Sequence, residues 1–370
     1  MADRTTRLRK LISPTAITLG VMLLYAAMVL AQNGGDPLAF VVLGTKFSQG
    51  VPGGTAGYDG QFAYQIALSP AHAAPFIDVP AYRYQRILYP MLARWLALGN
   101  PALIPWSLIA LNLLAIGAGT WATARILSAL GVSRWFALGY GLYGGQFLVL
   151  RTDLNESLAQ ALVQLAALAW LKKRFGWMAL LFALAALAKE TTLIFAAAFG
   201  LYFLWKRNWR AAGMLVLAGV PFAVWQLFLW RWLGAFGVGS GGAGATPFSV
   251  IPLGGWLWMA GVSVTAFALV SLVVVPLSIF PALAGLWLGV RSLSAKLVHP
   301  FVLALLLNSA VILFLPASTF REPAAMVRLT QGLAASMLLF GGLVKSRRVL
   351  LYSQLWILSA ALVVNGVAPV

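Results

Sequence analysis

Only eight aspartates and glutamates occur in this 370-residue chain, against 26 lysines and arginines, so the position of each acid carries information. Asp59 stands in GYDGQFAYQIALSP, preceded by Tyr58 and followed by Gln61 and Gln65. Asp78 opens DVPAYRYQRILYPMLARWLALG, where Arg83, Arg86 and Arg94 recur. Arg151, Asp153 and Glu156 share RTDLNES, Lys189 and Glu190 adjoin in ALAKETTLI, and Arg321, Glu322 and Arg328 lie in REPAAMVRL. Arginines set beside carboxylates in an apolar chain usually line a site or a water-filled cavity. Their planar guanidinium forks suit a phosphate held at a membrane interface.

Helix starts offer a plainer account of the same acids. Asp59 is placed to cap a helix over 61–69, on which Tyr58, Phe62 and Ile66 share a face with Gln61 and Gln65 beside them. Such a cap would also keep the carboxylate ionised and aimed. Asp78 is similarly placed before Pro80. Asp153 and Glu156 have the spacing of a capping box, although Glu156, Gln160 and Gln164 extend a polar stripe along the next span. At 100° per residue Arg83, Arg86, Pro90 and Arg94 fall in an arc of about 80°. That spacing predicts one amphipathic interfacial helix whose arginines face lipid headgroups or a cavity.

The elements that must hold these residues are membrane helices. The chain is 61% hydrophobic and 9% charged, with a mean hydropathy of +0.89, and apolar runs near twenty residues recur. Its net charge of +18 reports membrane topology rather than a nucleic-acid partner. With no cysteine, disulfides, thiolate metal sites and cysteine nucleophiles are excluded. His72 and His299 stand alone without HExxH spacing, and no GxSxG elbow is present, so neither a zinc site nor an acyl-transfer triad has support. The stretch GAFGVGSGGAGATPF lacks the Lys-Ser/Thr of a phosphate-binding loop and reads as a flexible external loop.

Arg4, Arg7, Arg9 and Lys10 place the N-terminus in the cytoplasm, and the apolar stretch that follows is longer than a signal-peptide core, which makes it an uncleaved first span. The clusters Arg125/Arg134, Lys172/Lys173/Arg174, Lys206/Arg207/Arg210, Arg291/Lys296 and Lys345/Arg347/Arg348 then share the cytoplasmic side. That requires an even number of crossings between clusters, about eleven spans in all. Met178 to Trp205 is too short for two ordinary spans, yet basic clusters flank it; two short helices meeting at Lys189-Glu190 keep the pattern. Asp36, Asp59, Asp78, Asp153, Glu156, Glu190 and Glu322 all fall outside.

Together, YDGQFAYQIA, YRYQRILYP, RTDLNESLA and LAKET resemble the GT-C superfamily of integral membrane glycosyltransferases, closest to bacterial membrane proteins of cell-surface glycopolymer formation. The likeness covers about the first 200 residues. It implies an all-α polytopic transmembrane helical bundle of about 11 spans with interfacial helices in the first external loop. The expected organisation is a single membrane domain over 1–370, with a GT-C-like module over 1–210 that includes external loop 32–101, and additional helices over 211–370. The implied partners are a polyprenyl-phosphate-linked sugar and a glycan, lipid or protein acceptor, met at the external face of the bacterial cytoplasmic membrane within the lipid bilayer.

Carried over by position, the general base falls on Asp59. No cofactor is implied, although some members bind a divalent metal at this carboxylate. Many carry two acids close together there, whereas this chain has Asp59-Gly60. Direct displacement at an anomeric carbon needs a base for the incoming hydroxyl and cations for the departing phosphate. Arg83, Arg86, Arg151 and Lys189 are the expected phosphate-binding residues, and Tyr58, Gln61, Asp78, Asp153, Glu156 and Glu190 those that bind acceptor or orient the arginines. Competing readings are a transporter or flippase of lipid-linked sugars, and a non-catalytic scaffold for glycopolymer assembly.

Overall fold

A computed structural model describes residues 12–364; Arg4, Arg7, Arg9 and Lys10 lie outside that range. Its secondary structure is helical throughout the described residues. Five helices are long and apolar enough to cross a membrane, or six if the bent pair Pro323–Leu329 and Gln331–Leu343 forms one span. Four further apolar helices run only 10–17 residues, short of the roughly twenty that a hydrocarbon core of about 30 Å requires. Counting those four as crossings would bring the total to nine, or ten with the bent pair, still below the eleven expected.

The helices that matter for the site are α1 (Pro14–Gln32), α2 (Gly60–Leu68), α3 (Pro80–Tyr84), α4 (Leu88–Leu96), α5 (Ile104–Ala129), α6 (Glu156–Leu171), α7 (Phe175–Ala188), α8 (Leu193–Trp205) and α9 (Trp209–Leu233). After them come α10 (Val264–Ser294), then α11 (Pro300–Leu313), α12 (Pro323–Leu329) and α13 (Gln331–Leu343). Alanines govern the packing of α6 on α7: Ala159, Ala166, Ala167, Ala185 and Ala188 are all buried in one core with Phe182 and Phe199. Small side chains let helix backbones approach closely where lipid supplies no hydrophobic drive between helices. A second core joins α10, α11 and α13 through Ala282, Val302, Leu305, Met337 and Phe340.

Apolar surface is left outward. On α9, Val216 is 73% exposed and Leu217 68%, a face that suits lipid rather than water. Trp205 at the end of α8, Trp209 at the start of α9 and Trp230 near its end are exposed as well, the placement of interfacial aromatics.

Helix order sorts the charges to two ends. α6 starts at Glu156 and stops before exposed Lys172, Lys173 and Arg174; α7 returns to Lys189; α8 leaves again and stops before exposed Lys206 and Arg207. Lys189 Nζ reaches Glu156 Oε1 at 2.6 Å, so the start of α6 and the α7–α8 junction share an end, with both basic turns opposite. The two short helices predicted to meet at Lys189-Glu190 are α7 and α8.

The arginine stripe does not form one helix. Gln85, Arg86 and Ile87 break it between α3 and α4. Arg83 and Arg86 turn inward, whereas Arg94 Nη1 donates to the carbonyls of Ala67 and Leu68 at 2.9 and 2.8 Å, satisfying orphan acceptors at the end of α2.

Candidate active site

A cavity of about 750 Å³ opens among α3, α6, α8, α11, α12 and the glycine-rich segment, with Asp59, Arg83, Arg86, Glu156, Lys189 and Arg328 on its wall. Asp59 occupies the position before α2, but its side chain caps nothing. Its carboxylate instead bridges two guanidiniums: Arg83 Nη2 lies 3.0 Å from Oδ1 and Arg328 Nη1 2.9 Å from Oδ2. Burial would raise the Asp59 carboxyl, but the two arginines overcome this and hold it well below the usual carboxylate range. The capping explanation therefore fails because stronger, charged donors are in reach.

Arg83 is fixed from three sides. Its Nε and Nη2 donate to Asp78 Oδ1 and Oδ2 at 2.7 and 2.8 Å, and its guanidinium lies 4.4 Å from the centre of the Phe62 ring. Asp78 thus holds the Arg83 guanidinium through both of its oxygens. Burial would raise its own carboxyl too, yet its bonds to Arg83 lower it. Arg86 forms a second fork, with Nε and Nη2 at 2.9 and 2.6 Å from the Glu190 carboxylate, and Nη2 also donates to the Tyr82 hydroxyl at 2.7 Å.

Lys189 is extended, with φ −159° and ψ 124°, which ends α7 and swings its ammonium to Glu156. Arg328 Nε meets the same Glu156 oxygen at 2.9 Å. Glu156 is therefore the hub between α6, the α7–α8 junction and α12, not a capping-box acid: Asn155 holds the position before α6 and no side chain caps there. Tyr58 completes the cluster, donating to Glu322 at 2.9 Å and accepting from Arg328 at 3.2 Å.

Three expected residues lie elsewhere. Arg151 Nη1 donates to the Ala39 carbonyl at 2.7 Å and does not line the cavity; it ties the loop between α1 and α2 to the helix Gly144–Arg151. Gln61 accepts from Gly44 N at 3.1 Å and donates to Ala56 O at 2.7 Å, stapling the loop before α2. Asp153 is fully buried, with a left-handed φ of +46°, and neither carboxylate oxygen has a hydrogen-bond partner among the described residues. It lines a separate pocket of about 30 Å³ behind Asp59, with Tyr89 and Asn155.

Two contributors were missed. Arg328 was legible as a cation within an apolar helix, where a charge needs a partner, but nothing in its spacing pointed to Asp59, 269 residues away. The glycine-rich segment, read as a flexible loop, forms a wall of the cavity. Gln226 Oε1 accepts from Gly237 N and Val238 N at 2.8 and 3.1 Å, and Asp78 Oδ2 from Ala243 N at 2.9 Å.

A divalent metal does not fit these residues. Asp59, Glu156 and Glu190 each already face a cation within 3.0 Å, and no three histidines or acids converge among the described residues. No family model, curated protein or solved structure matches the chain.

Proposed function

We propose that the cavity binds a lipid-linked sugar phosphate and transfers the sugar to a hydroxyl acceptor, as the resemblance to GT-C glycosyltransferases implies. The carrying observation is Asp59 suspended between Arg83 and Arg328 on a cavity wall that also holds Ile194, Val311, Ile312 and Leu315. Charge and apolar surface in one chamber match an amphiphile whose phosphate meets guanidiniums while its chain stays in lipid.

Chemically, Asp59 is first a counterion and only then a base. A carboxylate held far below its ordinary range takes protons poorly. An incoming phosphate shares the positive charge of Arg83 and Arg328 with Asp59, so the carboxylate is stabilised less and gains basicity. It then accepts the proton of the acceptor hydroxyl as that oxygen bonds to the anomeric carbon. The bond from that carbon to the phosphate oxygen breaks, its electron pair leaving on the phosphate, where Arg83, Arg328, Arg86 and Lys189 oppose the charge. One displacement inverts the anomeric configuration. Glu190 and Glu156 keep Arg86 and Lys189 in place until the phosphate arrives.

In this reading the shorter helices cross the membrane as well, and the site faces the exterior of a bacterial cytoplasmic membrane. Reconstitution with a panel of polyprenyl-phosphate sugars tests it. Sugar transfer by the wild type that is lost in Asp59→Asn supports the transferase. Movement of the lipid-linked sugar across vesicles with no bond cleavage would instead indicate a flippase, and neither activity would leave a scaffold.

A further inference from the structure

Beyond the ion-paired wall the same cavity carries a second polar surface with no charge. Gln160 on α6, Asn308 on α11 and Gln331 at the start of α13 all line it and are 7%, 7% and 3% exposed. Both polar atoms of the Gln331 side chain, and Oε1 of Gln160, are buried without a hydrogen-bond partner among the described residues. Asn308 is held from behind, its Nδ2 donating to Ala304 O at 2.8 Å and Ser336 Oγ at 3.1 Å. That orientation carries its Oδ1 toward Gly332, where a Cβ would stand 2.5 Å from Asn308 Oδ1 and 3.6 Å from Gln160 Nε2. Glycine at 332 is thus what lets carboxamides from three helices converge.

Free carboxamides in an apolar interior are unfavourable unless something satisfies them. Each offers donors and an acceptor on one planar group, which suits hydroxyls better than phosphate or an apolar chain. Position agrees: Gln160 follows Glu156 by one helical turn, about 6 Å along α6, and Gln331 follows Arg328 by three residues. A ligand anchored by an anion at the ion-paired wall would present its neighbouring group here.

We infer that Gln160, Asn308 and Gln331 form a subsite for a neutral polyhydroxyl group, the sugar ring of a lipid-linked sugar phosphate whose phosphate meets Arg328 and Lys189. The inference deepens the transferase reading and depends on it for the identity of the ring. The subsite itself needs no turnover to be detected.

The experiment measures binding to the reconstituted full chain of a short-chain alkyl phosphate and of the same alkyl phosphate carrying glucosyl, galactosyl, mannosyl or arabinosyl groups. At least one glycosylated probe binds tighter than the bare alkyl phosphate. Gln331→Leu and Gln160→Leu each weaken that probe by about five- to thirtyfold, the loss of one or two hydrogen bonds, while the bare alkyl phosphate changes less than twofold. Retained binding of the bare probe also establishes that the variant is folded. Where Gln331→Leu fails that check, Gln331→Asn, which withdraws the amide by one methylene, carries the test, with Gly332→Ala as an independent intrusion into the same space. The inference is overturned if no glycosylated probe gains affinity, or if the glutamine variants weaken both probe types equally; the amides would then hold ordered water only. Sugar transfer that persists unchanged in both glutamine variants also overturns the subsite while leaving the transferase intact. Sugar-selective binding without transfer retains the subsite and removes the transferase.

Discussion

At the scale of single residues, Asp59 and Asp153 carry the same carboxyl group in opposite circumstances. Asp59 has two guanidiniums and a side chain 28% exposed to the cavity; Asp153 is fully buried and has no donor. Because the folded Asp59 group sits below its ordinary value of about 3.9, the stability it contributes is complete above that value and is lost as pH falls through the folded one. The difference in melting temperature between wild type and Asp59→Asn is therefore constant from about pH 5 to 8 and shrinks only in stronger acid; a difference that varies within that window would show that Asp59 is not held by its arginines. Burial pushes the Asp153 carboxyl well above its ordinary value, so Asp153→Asn replaces a desolvated, unpaired acid with a neutral amide, and asparagine tolerates the left-handed backbone. Thermal unfolding is expected to show unchanged or greater stability, by up to about 1 kcal/mol; a loss of more than about 2 kcal/mol would mean that Asp153 has a donor.

Elements explain why the site assembles and why only part of it was legible. Helix α2 begins at Gly60, where a Cβ would lie 2.0 Å from Thr152 O and 3.2 Å from Asp153 O. The sequence gives no hint of this contact, which locks the turn that carries Asp59 against the segment just before α6. Gly60→Ala must push these backbones apart, costing about 1–3 kcal/mol and lowering any Asp59-dependent activity at unchanged acceptor concentration; an unaltered melting temperature would contradict the packing. By contrast, the break at Lys189-Glu190 was readable, since one long helix would have buried that pair in lipid and inverted every downstream basic cluster. Misreading Arg83, Arg86, Pro90 and Arg94 as one face came from trusting helical period across Gln85, Arg86 and Ile87, which form a turn between α3 and α4. Spacing alone kept capping open as an alternative at Asp59 and Glu156, because local pattern does not register a distant arginine. The pairing partners were visible only as types: each was an acid or base in apolar surroundings, but which meets which is set by tertiary packing.

Across the whole molecule, charge is divided lengthwise. The ion-paired cavity and the glycine-rich wall stand at one end of the bundle, while Lys172, Lys173, Arg174, Lys206 and Arg207 stand at the other. An excess of cations on cytoplasmic turns is the ordinary determinant of orientation, so the cavity is expected on the external side. The chain has no cysteine, which makes single introduced cysteines clean reporters. Ser240→Cys should react with an impermeant thiol reagent added outside intact cells, and Lys173→Cys only after the membrane is opened. Equal labelling of both from outside would refute the division. Composition made the membrane bundle plain, and the acids marked one end of it. That the C-terminal helices complete the site was not legible, because nothing in the spacing of Asn308, Glu322, Arg328 or Gln331 points to the residues of the first half of the chain that they meet.

Asp59 neutralises two arginines, and in the proposed transfer it also serves as the base. The affinity of the reconstituted protein for a short-chain alkyl phosphate, measured for wild type and Asp59→Asn beside the rate of sugar transfer, tests both halves at once. Removing the counterion should tighten phosphate binding by roughly tenfold, about 1.4 kcal/mol, while transfer falls by at least about a hundredfold. Weaker phosphate binding in Asp59→Asn, or transfer at the wild-type rate, would contradict the account.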